Sequence, residues 1–108
     1  MALKDINYFN NTAEIGYWLG EDFWGQGIMT EAAKKLLEFA FNSLKINRLN
    51  ISAFVENNAS NKVIKKLGFV FESTKKQAMR SKATNKLHDV NTYGLLKEDW
   101  EKNVFEGL

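Results

Sequence analysis

The segment Gly20–Ala40, GEDFWGQGIMTEAAKKLLEFA, joins a glycine-rich loop to a regular amphipathic helix. Its first eight residues hold three glycines and a tryptophan, and no glycine or proline follows Gly27 within the segment. A loop of this kind points unpaired backbone N–H groups outward at the start of the helix, where the helix dipole favours negative charge. Two interpretations therefore stand side by side: a plain strand-to-helix turn, or a cradle in which phosphate oxygens approach Gly25 and Gly27 closely.

Known phosphate-binding patterns do not decide between these interpretations. A Walker A loop needs a lysine followed by serine or threonine after its glycines, and this segment has none. The dinucleotide fingerprint needs a third small residue, whereas the run that starts at Gly25 reaches Thr30 at that position. The loop alone leaves both the turn and the cradle open.

On either side of the loop, the hydrophobic pattern predicts a layered α/β fold in the order β-α-β-α-β-β. The short helix after Val55 has Asn57 or Asn58 as its candidate cap, and Gly68 is placed to end it. A lysine-rich stretch is expected to separate the last two strands. The predicted elements are strands at Ala13–Leu19, Arg48–Val55, from about Phe69, and at His88–Leu96, with helices at about Ile28–Ser43 and after Asn57.

Composition restricts the class of protein. A chain of 108 residues with 44% hydrophobic content is predicted to form one domain, residues 1–108, with a hydrophobic core. It has no cysteine and a single histidine, His88, so a metal site is not expected. The net charge of +2 is too small to predict nucleic-acid binding, and no apolar run approaches the roughly 18 residues of a membrane span. The sequence predicts a cytoplasmic protein without a membrane partner.

Three segments in order, AEIGYWLGEDFWGQGIMTEA, VENNASNKVIKKLGF and HDVNTYGLLKEDW, resemble the GNAT superfamily of acyl-CoA-dependent N-acetyltransferases. They are most similar to its RimJ/RimL-like branch, which acetylates the N-terminal amino groups of ribosomal proteins. The resemblance covers about Ala2 to Trp100 and implies a GNAT-type mixed sheet. It also implies acetyl-CoA as cosubstrate and a primary amine as acceptor.

By this resemblance, the opening loop binds the pyrophosphate of coenzyme A, and the first strand receives the pantetheine arm. Gly27 matches the family pattern, whereas Trp24 and Met29 depart from it at the first and last positions. Asn57 matches the asparagine that reaches the pantetheine or its thiol end. The implied cofactor-binding residues are Tyr17, Trp18 and Leu19 on the strand, Trp24, Gly25, Gln26, Gly27, Ile28, Met29 and Thr30 in the loop and helix start, and Asn57.

Ser60 matches a serine that, in the RimL-like branch, can protonate the departing thiolate, so it is the candidate general acid. Its alternative role is that of a first-turn serine that bonds the helix backbone. Tyr93 matches a family tyrosine and is either a core aromatic with a polar tip or a residue that lines the substrate site.

The general base has no clear candidate. RimL-like sequences can carry a glutamate after KQA, where this chain has Met79. Glu72 is the weak candidate base, and the other acids nearby are Asp89 and Glu14, all of which also fit solvated or capping roles. His88 is a less favoured alternative.

A full GNAT domain begins with further strands and helices before Ala13, so the chain resembles the acetyl-CoA-binding half of a domain truncated at its N-terminus. An early strand with an unpaired edge would then favour pairing between subunits, which predicts a homodimer or a domain-swapped oligomer. The leading function is acetyl transfer to a protein N-terminal α-amine. The alternatives are an inactive CoA-binding fragment, a polyamine or small-amine acetyltransferase, and an RNA-binding fragment that uses the lysines.

Overall fold

A computed structural model of the chain describes residues 2–16 and 27–105. Within these ranges, five strands form one mixed sheet in the order β1-β2-β3-β5-β4, and three α-helices accompany it. The elements are β1 (Ala2–Asn7), β2 (Thr12–Gly16), α1 (Gly27–Glu38) with a π-helical extension (Phe39–Ser43), β3 (Arg48–Phe54), α2 (Asn58–Lys66), β4 (Val70–Arg80), β5 (Leu87–Leu96) and α3 (Lys97–Phe105).

The centre of the sheet is the parallel pair β2 and β3, which α1 connects. Their register runs from Thr12 opposite Arg48 to Ile15 opposite Ile51, and β3 continues to Phe54. β5 pairs antiparallel with both β3 and β4. These pairings confirm the predicted α/β layered class, with one parallel crossover and a terminal antiparallel pair.

The hydrophobic core lies between one face of the sheet and the helices. Alternation along β3 buries Leu49, Ile51 and Ala53, as the period of two residues predicts. Phe41 of the π-helical extension is fully buried, and its ring centroid lies 5.1 Å from that of Trp100 in α3. The opposite face of β3 carries the partly exposed side chains of Arg48, Asn50, Ser52 and Phe54.

The helix α2 forms as its end signals predict. Asn57 is the N-cap, and its side-chain oxygen accepts a hydrogen bond from the backbone N–H of Ser60 at 3.1 Å. Gly68 follows the C-terminus with a φ of 100°, a conformation that favours glycine. The choice between Asn57 and Asn58 is thus resolved in favour of Asn57.

The lysine-rich stretch is not the connection that the sequence analysis expected, and this prediction was wrong. Lys75 and Lys76 lie within β4, which runs for 11 residues, and the connection to β5 is the segment 81–86. β4 is an edge strand whose register shifts twice, and both lysine side chains are exposed. Lysines and bulges are the usual means of protecting a sheet edge, which explains why this strand lacks an alternating pattern.

Neither α3 nor β1 is part of the predicted order, and the first predicted strand differs from β2. Trp100 of α3 packs against the core cluster, and Glu98 and Asp99 lie in the first turn, where acidic side chains favour a helix start. β2 spans Thr12–Gly16, whereas the prediction ran from Ala13 to Leu19 and its last positions lie outside the described residues.

Candidate functional site

The carboxyl end of β3 and the start of α2 are joined by the side chain of Asn61. Its Nδ2 donates to the carbonyl oxygens of Phe54 at 2.9 Å and of Asn57 at 2.7 Å. Its Oδ1 accepts from Asn91 Nδ2 at 3.1 Å and from the hydroxyl of Tyr93. Two donated and two accepted bonds use the full capacity of the amide, and the residue is only 7% exposed.

Asn61 was not predicted from the sequence as a site residue. A signal was present, because Asn61 lies three residues before Ile64, so both belong to the buried face of α2. An asparagine at a core-facing helix position needs several hydrogen-bond partners, since a buried polar group without them is unfavourable.

Ser60 presents the opposite situation at the same end of α2. The residue is fully buried, and its Oγ has no hydrogen-bond partner among the described residues. The alternative role of a serine that bonds the helix backbone through its hydroxyl is therefore not observed. A buried hydroxyl without a partner costs about 1–3 kcal/mol, which suits a group that is satisfied only when a ligand is present.

Asn57 combines a structural role with a free donor group. Its Oδ1 is occupied by the N-cap bond to the Ser60 backbone. Its Nδ2 forms no hydrogen bond with another described residue, and the side chain is partly exposed. A ligand contact by Asn57 would therefore be a donated bond from Nδ2.

Each candidate acid has a partner elsewhere in the fold. Glu72 forms an ion pair with Arg48, and a Cβ built at Gly94 would lie 2.9 Å from its Oε1, so the pair covers the sheet face away from the helices. Asp89 Oδ1 accepts a hydrogen bond from the backbone N–H of Gln77 at 2.9 Å. Glu14 lies 4.0 Å from the ammonium of Lys4. These contacts fit the capping and solvated roles that the sequence also allowed.

His88 lies at the start of β5 in a set of contacts that the sequence did not reveal. Its Nδ1 is hydrogen-bonded to the carboxylate of Glu56, and its Nε2 lies 2.9 Å from Thr84 Oγ1. The imidazole is stacked on Phe54, with ring centroids 4.8 Å apart and planes 22° from parallel. Met79 of β4 is its cross-strand partner.

The predicted pyrophosphate loop is described only at its helical end. α1 begins at Gly27, so Ile28, Met29 and Thr30 lie in its first turn, where backbone N–H groups lack helical partners. The other predicted contacts, Tyr17, Trp18, Leu19, Trp24, Gly25 and Gln26, lie outside the described residues.

Residues 2–16 and 27–105 contain no group of three or more His, Cys, Asp and Glu that could hold a metal ion. No helix in these ranges is long and apolar enough to cross a membrane.

Tyr93 is buried, and this burial raises the pKa of its hydroxyl, while a hydrogen bond with the Asn91 side chain opposes the rise. A raised pKa means that the folded protein holds the phenolic proton more tightly than the unfolded chain, whose tyrosine has a pKa of about 10. The contribution of Tyr93 to the free energy of unfolding is therefore complete below pH ~10, and it is lost as pH rises through the higher pKa of the folded state.

We expect the free energy of unfolding, measured by urea denaturation from pH 8 to 11, to fall more steeply for the wild type than for Tyr93→Phe. The difference between the two curves isolates Tyr93 from the lysines, which titrate in the same range. Parallel pH curves for the wild type and Tyr93→Phe would contradict the raised pKa of Tyr93.

Comparison with known proteins agrees with this architecture. Residues 1–70 match the model of the acetyltransferase (GNAT) domain. The chain is 40% identical over 93 residues to the ribosomal-protein-serine acetyltransferase of Escherichia coli, covering 86% of this chain and 51% of that protein. It is 38% identical over 101 residues to Bacillus subtilis YdaF, provisionally named a ribosomal N-acetyltransferase, covering 94% of this chain and 54% of YdaF.

Solved structures show the same relationship. A crystal structure of a probable acetyltransferase superposes with a TM-score of 0.81 at 38% identity, over 91% of this chain and 53% of that one. The spermidine/spermine N-acetyltransferase SpeG of Vibrio cholerae reaches a TM-score of 0.84 at 20% identity, over 94% of this chain and 58% of SpeG, which supports the fold alone.

The chain spans about half the length of the curated relatives that it matches. The match to the domain model, the identity to the two bacterial relatives and the shared sheet agree with one another. The chain therefore belongs to the GNAT acetyltransferases.

Proposed function

We propose that this chain binds acetyl-CoA and transfers its acetyl group to a primary amine, with the N-terminal α-amine of a protein as the favoured acceptor. The observation that carries the proposal is the buried hydroxyl of Ser60 near the start of α2, which has no hydrogen-bond partner among the described residues. Two relatives at 38–40% identity carry ribosomal acetyltransferase names, which supports a protein acceptor.

The proposed roles follow from where each residue lies. The N-terminus of α1 at Gly27 provides backbone N–H groups and a positive dipole end for the pyrophosphate, together with Ile28, Met29 and Thr30. Trp24, Gly25 and Gln26 remain proposed parts of this cradle, and the main chain of Tyr17, Trp18 and Leu19 remains the proposed support of the pantetheine arm. Asn57 Nδ2 would bond the pantetheine.

Ser60 would donate a proton to the thiolate as it departs, because its hydroxyl is not engaged by any described residue. Tyr93 holds Asn61, which in turn joins β3 to α2, so we assign Tyr93 a positioning role rather than a contact with substrate. Glu72 is already paired with Arg48, and we propose that this pair is structural.

Two other functions remain as outcomes of the test. An inactive CoA-binding fragment would bind acetyl-CoA but transfer nothing. A polyamine acetyltransferase would need acidic side chains to attract several ammonium groups. Near His88, the exposed Lys82 and Lys86 lie in the same part of the fold as the acidic Glu56 and Asp89, so the local charge is mixed rather than strongly acidic.

We also propose that the chain self-associates, as a homodimer or a domain-swapped oligomer. The described helices cover one face of the sheet, and the exposed side chains of Tyr8 and Phe9 lie at the turn between β1 and β2. Mass in solution, measured by light scattering during purification, tests this proposal, and a monomer at micromolar concentration would contradict it. The cytoplasmic location stays a prediction from sequence.

Calorimetric titration with acetyl-CoA tests the proposed function. Saturable binding by the wild type, followed by acetylation of a peptide N-terminus but not of spermidine, is the expected result. We expect Gly27→Trp to lose binding, since a large side chain at the helix start would occupy the cradle.

Lys35→Trp is the matched control, because it places the same side chain at an exposed position later on α1. It should keep the affinity of the wild type. Retained affinity in Gly27→Trp would remove the helix start from the site, and absence of binding by folded wild-type protein would overturn the proposed function.

A further inference from the structure

We propose that His88, oriented by Glu56, is the general base that takes a proton from the acceptor amine; this inference rests on the proposed acetyl transfer. An amine that arrives as an ammonium ion cannot attack a carbonyl carbon until it loses a proton. Histidine is the side chain that most often accepts such a proton near neutral pH. His88 is the single histidine of the chain.

The contacts of the imidazole fix which of its nitrogens is basic. The carboxylate of Glu56 can only accept a hydrogen bond, so the Nδ1 atom that it contacts carries the proton. The lone pair of the neutral ring then lies on Nε2, where the Thr84 hydroxyl donates to it at 2.9 Å. A carboxylate, an imidazole and a hydroxyl in this order form a proton-accepting relay that ends at Thr84.

The imidazole is connected to the proposed thioester end through Phe54. Its ring stacks on Phe54, the last residue of β3, at a centroid distance of 4.8 Å. The carbonyl oxygen of this same residue accepts hydrogen bonds from Asn57 N at 3.0 Å and Asn61 Nδ2 at 2.9 Å. Phe54 thus connects His88 with the start of α2, where the Ser60 hydroxyl has no partner within residues 2–16 and 27–105.

The other described charged groups on the elements around the ring are hydrogen-bonded elsewhere or exposed to solvent. Asp89, the next residue of β5, has its Oδ1 on the backbone N–H of Gln77. On β4, the cross-strand partner Met79 is uncharged, and the guanidinium of Arg80 donates to the carbonyl oxygen of Asn85 at 2.7 Å. The lysines of the adjoining turn, Lys82 and Lys86, are exposed to solvent.

The proposed reaction removes two protons from the ammonium nitrogen, one to solvent and one to sulfur. One proton of the ammonium passes to Nε2 of His88, directly once Thr84 turns aside or through its hydroxyl, and then to solvent. The freed amine lone pair forms the N–C bond to the thioester carbonyl carbon. As the C–S bond breaks, sulfur takes its electron pair, and the second nitrogen proton reaches sulfur through the Ser60 hydroxyl. The products are an amide, the thiol of coenzyme A and one released proton.

The kinetic test compares two acceptors, a peptide whose N-terminus is largely an ammonium at the assay pH and a weakly basic amine that is already neutral. We expect His88→Gln to lower kcat/KM for the ammonium acceptor by about 10²–10⁴-fold and to affect the neutral amine far less. Glutamine keeps a hydrogen-bonding group in place of the ring, and acetyl-CoA affinity should stay within a few-fold of the wild type.

Glu101→Gln on α3 is the control for removal of an exposed carboxylate, and Glu56→Gln should reproduce part of the His88→Gln defect. Equal kcat/KM values for wild type and His88→Gln on both acceptors would overturn this inference and leave the proposed function intact. A wild type that binds acetyl-CoA but acetylates neither acceptor would overturn both. A loss of acetyl-CoA binding in His88→Gln would show a structural role and also overturn the inference.

A second readout needs neither acetyl-CoA nor turnover. Nitrogen NMR of the labelled imidazole in its neutral form should show the proton on Nδ1 in the wild type, and a loss of this preference in Glu56→Ala, which removes the acceptor. A wild-type ring with its proton on Nε2 would point a donor, not an acceptor, at Thr84 and would overturn the assignment.

Discussion

Ser60→Ala is expected to lower kcat for acetyl transfer by about 10²–10⁴-fold without lowering the stability of the protein. The fall in kcat is not accompanied by a fall in stability, because the hydroxyl forms no hydrogen bond with a described residue of the folded chain. Its Oγ is buried and has no described partner, so its removal deletes an unsatisfied polar atom from the interior. We expect the free energy of unfolding to stay equal or to rise by up to about 1 kcal/mol.

The loss of rate would have a separate origin. Without the hydroxyl, the thiolate of coenzyme A must leave unprotonated, which raises the barrier to C–S cleavage. Binding of acetyl-CoA should change little, since a general acid acts on the transition state more than on the bound substrate. The signature is therefore a fall in kcat with a nearly constant dissociation constant for acetyl-CoA.

Ser81→Ala provides the matched comparison for stability. Ser81 is also a buried serine, but its Oγ accepts hydrogen bonds from Ala83 N at 3.2 Å and Thr84 N at 3.3 Å. Its loss should destabilise the protein by about 1 kcal/mol, the usual net value of such bonds. If urea denaturation showed Ser60→Ala to be as damaging as Ser81→Ala, Ser60 would have an unseen structural partner. An unchanged kcat would remove it from the chemistry.

These expectations combine features that the sequence could and could not provide. The cap at Asn57, the alternation of β3 and the glycine after α2 depend on neighbouring residues; the last two were predicted correctly, and Asn57 was one of the two predicted caps. Ser60 was predicted from resemblance, but its two alternative roles could be distinguished only by the surroundings of its hydroxyl. Local signals thus predicted the elements around the candidate site, and packing showed which of its polar atoms have partners.

The features that were missed depend on contacts between distant parts of the chain. Glu56 and His88 are 32 residues apart, as are Asn61 and Tyr93, and no local pattern connects either pair. The length of β4 was missed because bulges and lysines remove the alternation that marks a strand. A single sequence does not carry the register that places Met79 opposite His88.

Asn61→Ala is expected to be among the most destabilising polar substitutions in the chain, with a loss of about 2–4 kcal/mol. The change leaves the buried hydroxyl of Tyr93 and the amide of Asn91 without their shared acceptor, at about 1–3 kcal/mol for each group. The carbonyl oxygens of Phe54 and Asn57 lose a donor but keep backbone bonds from Asn57 N and Asn61 N. Domains of this size are typically stable by only about 5–15 kcal/mol, so the transition should shift visibly.

Asn58→Ala is the matched control, since the same substitution at an exposed position of the same helix should stay within about 0.5 kcal/mol. The double variant Asn61→Ala with Tyr93→Phe tests the mechanism. Because phenylalanine has no hydroxyl left to satisfy, the second change should cost less in the Asn61→Ala background than in the wild type. Strict additivity would mean that the two side chains act independently, and the junction of β3 with α2 would then depend on packing alone. A measured coupling would show that one amide holds the start of α2, and with it Ser60, against the sheet.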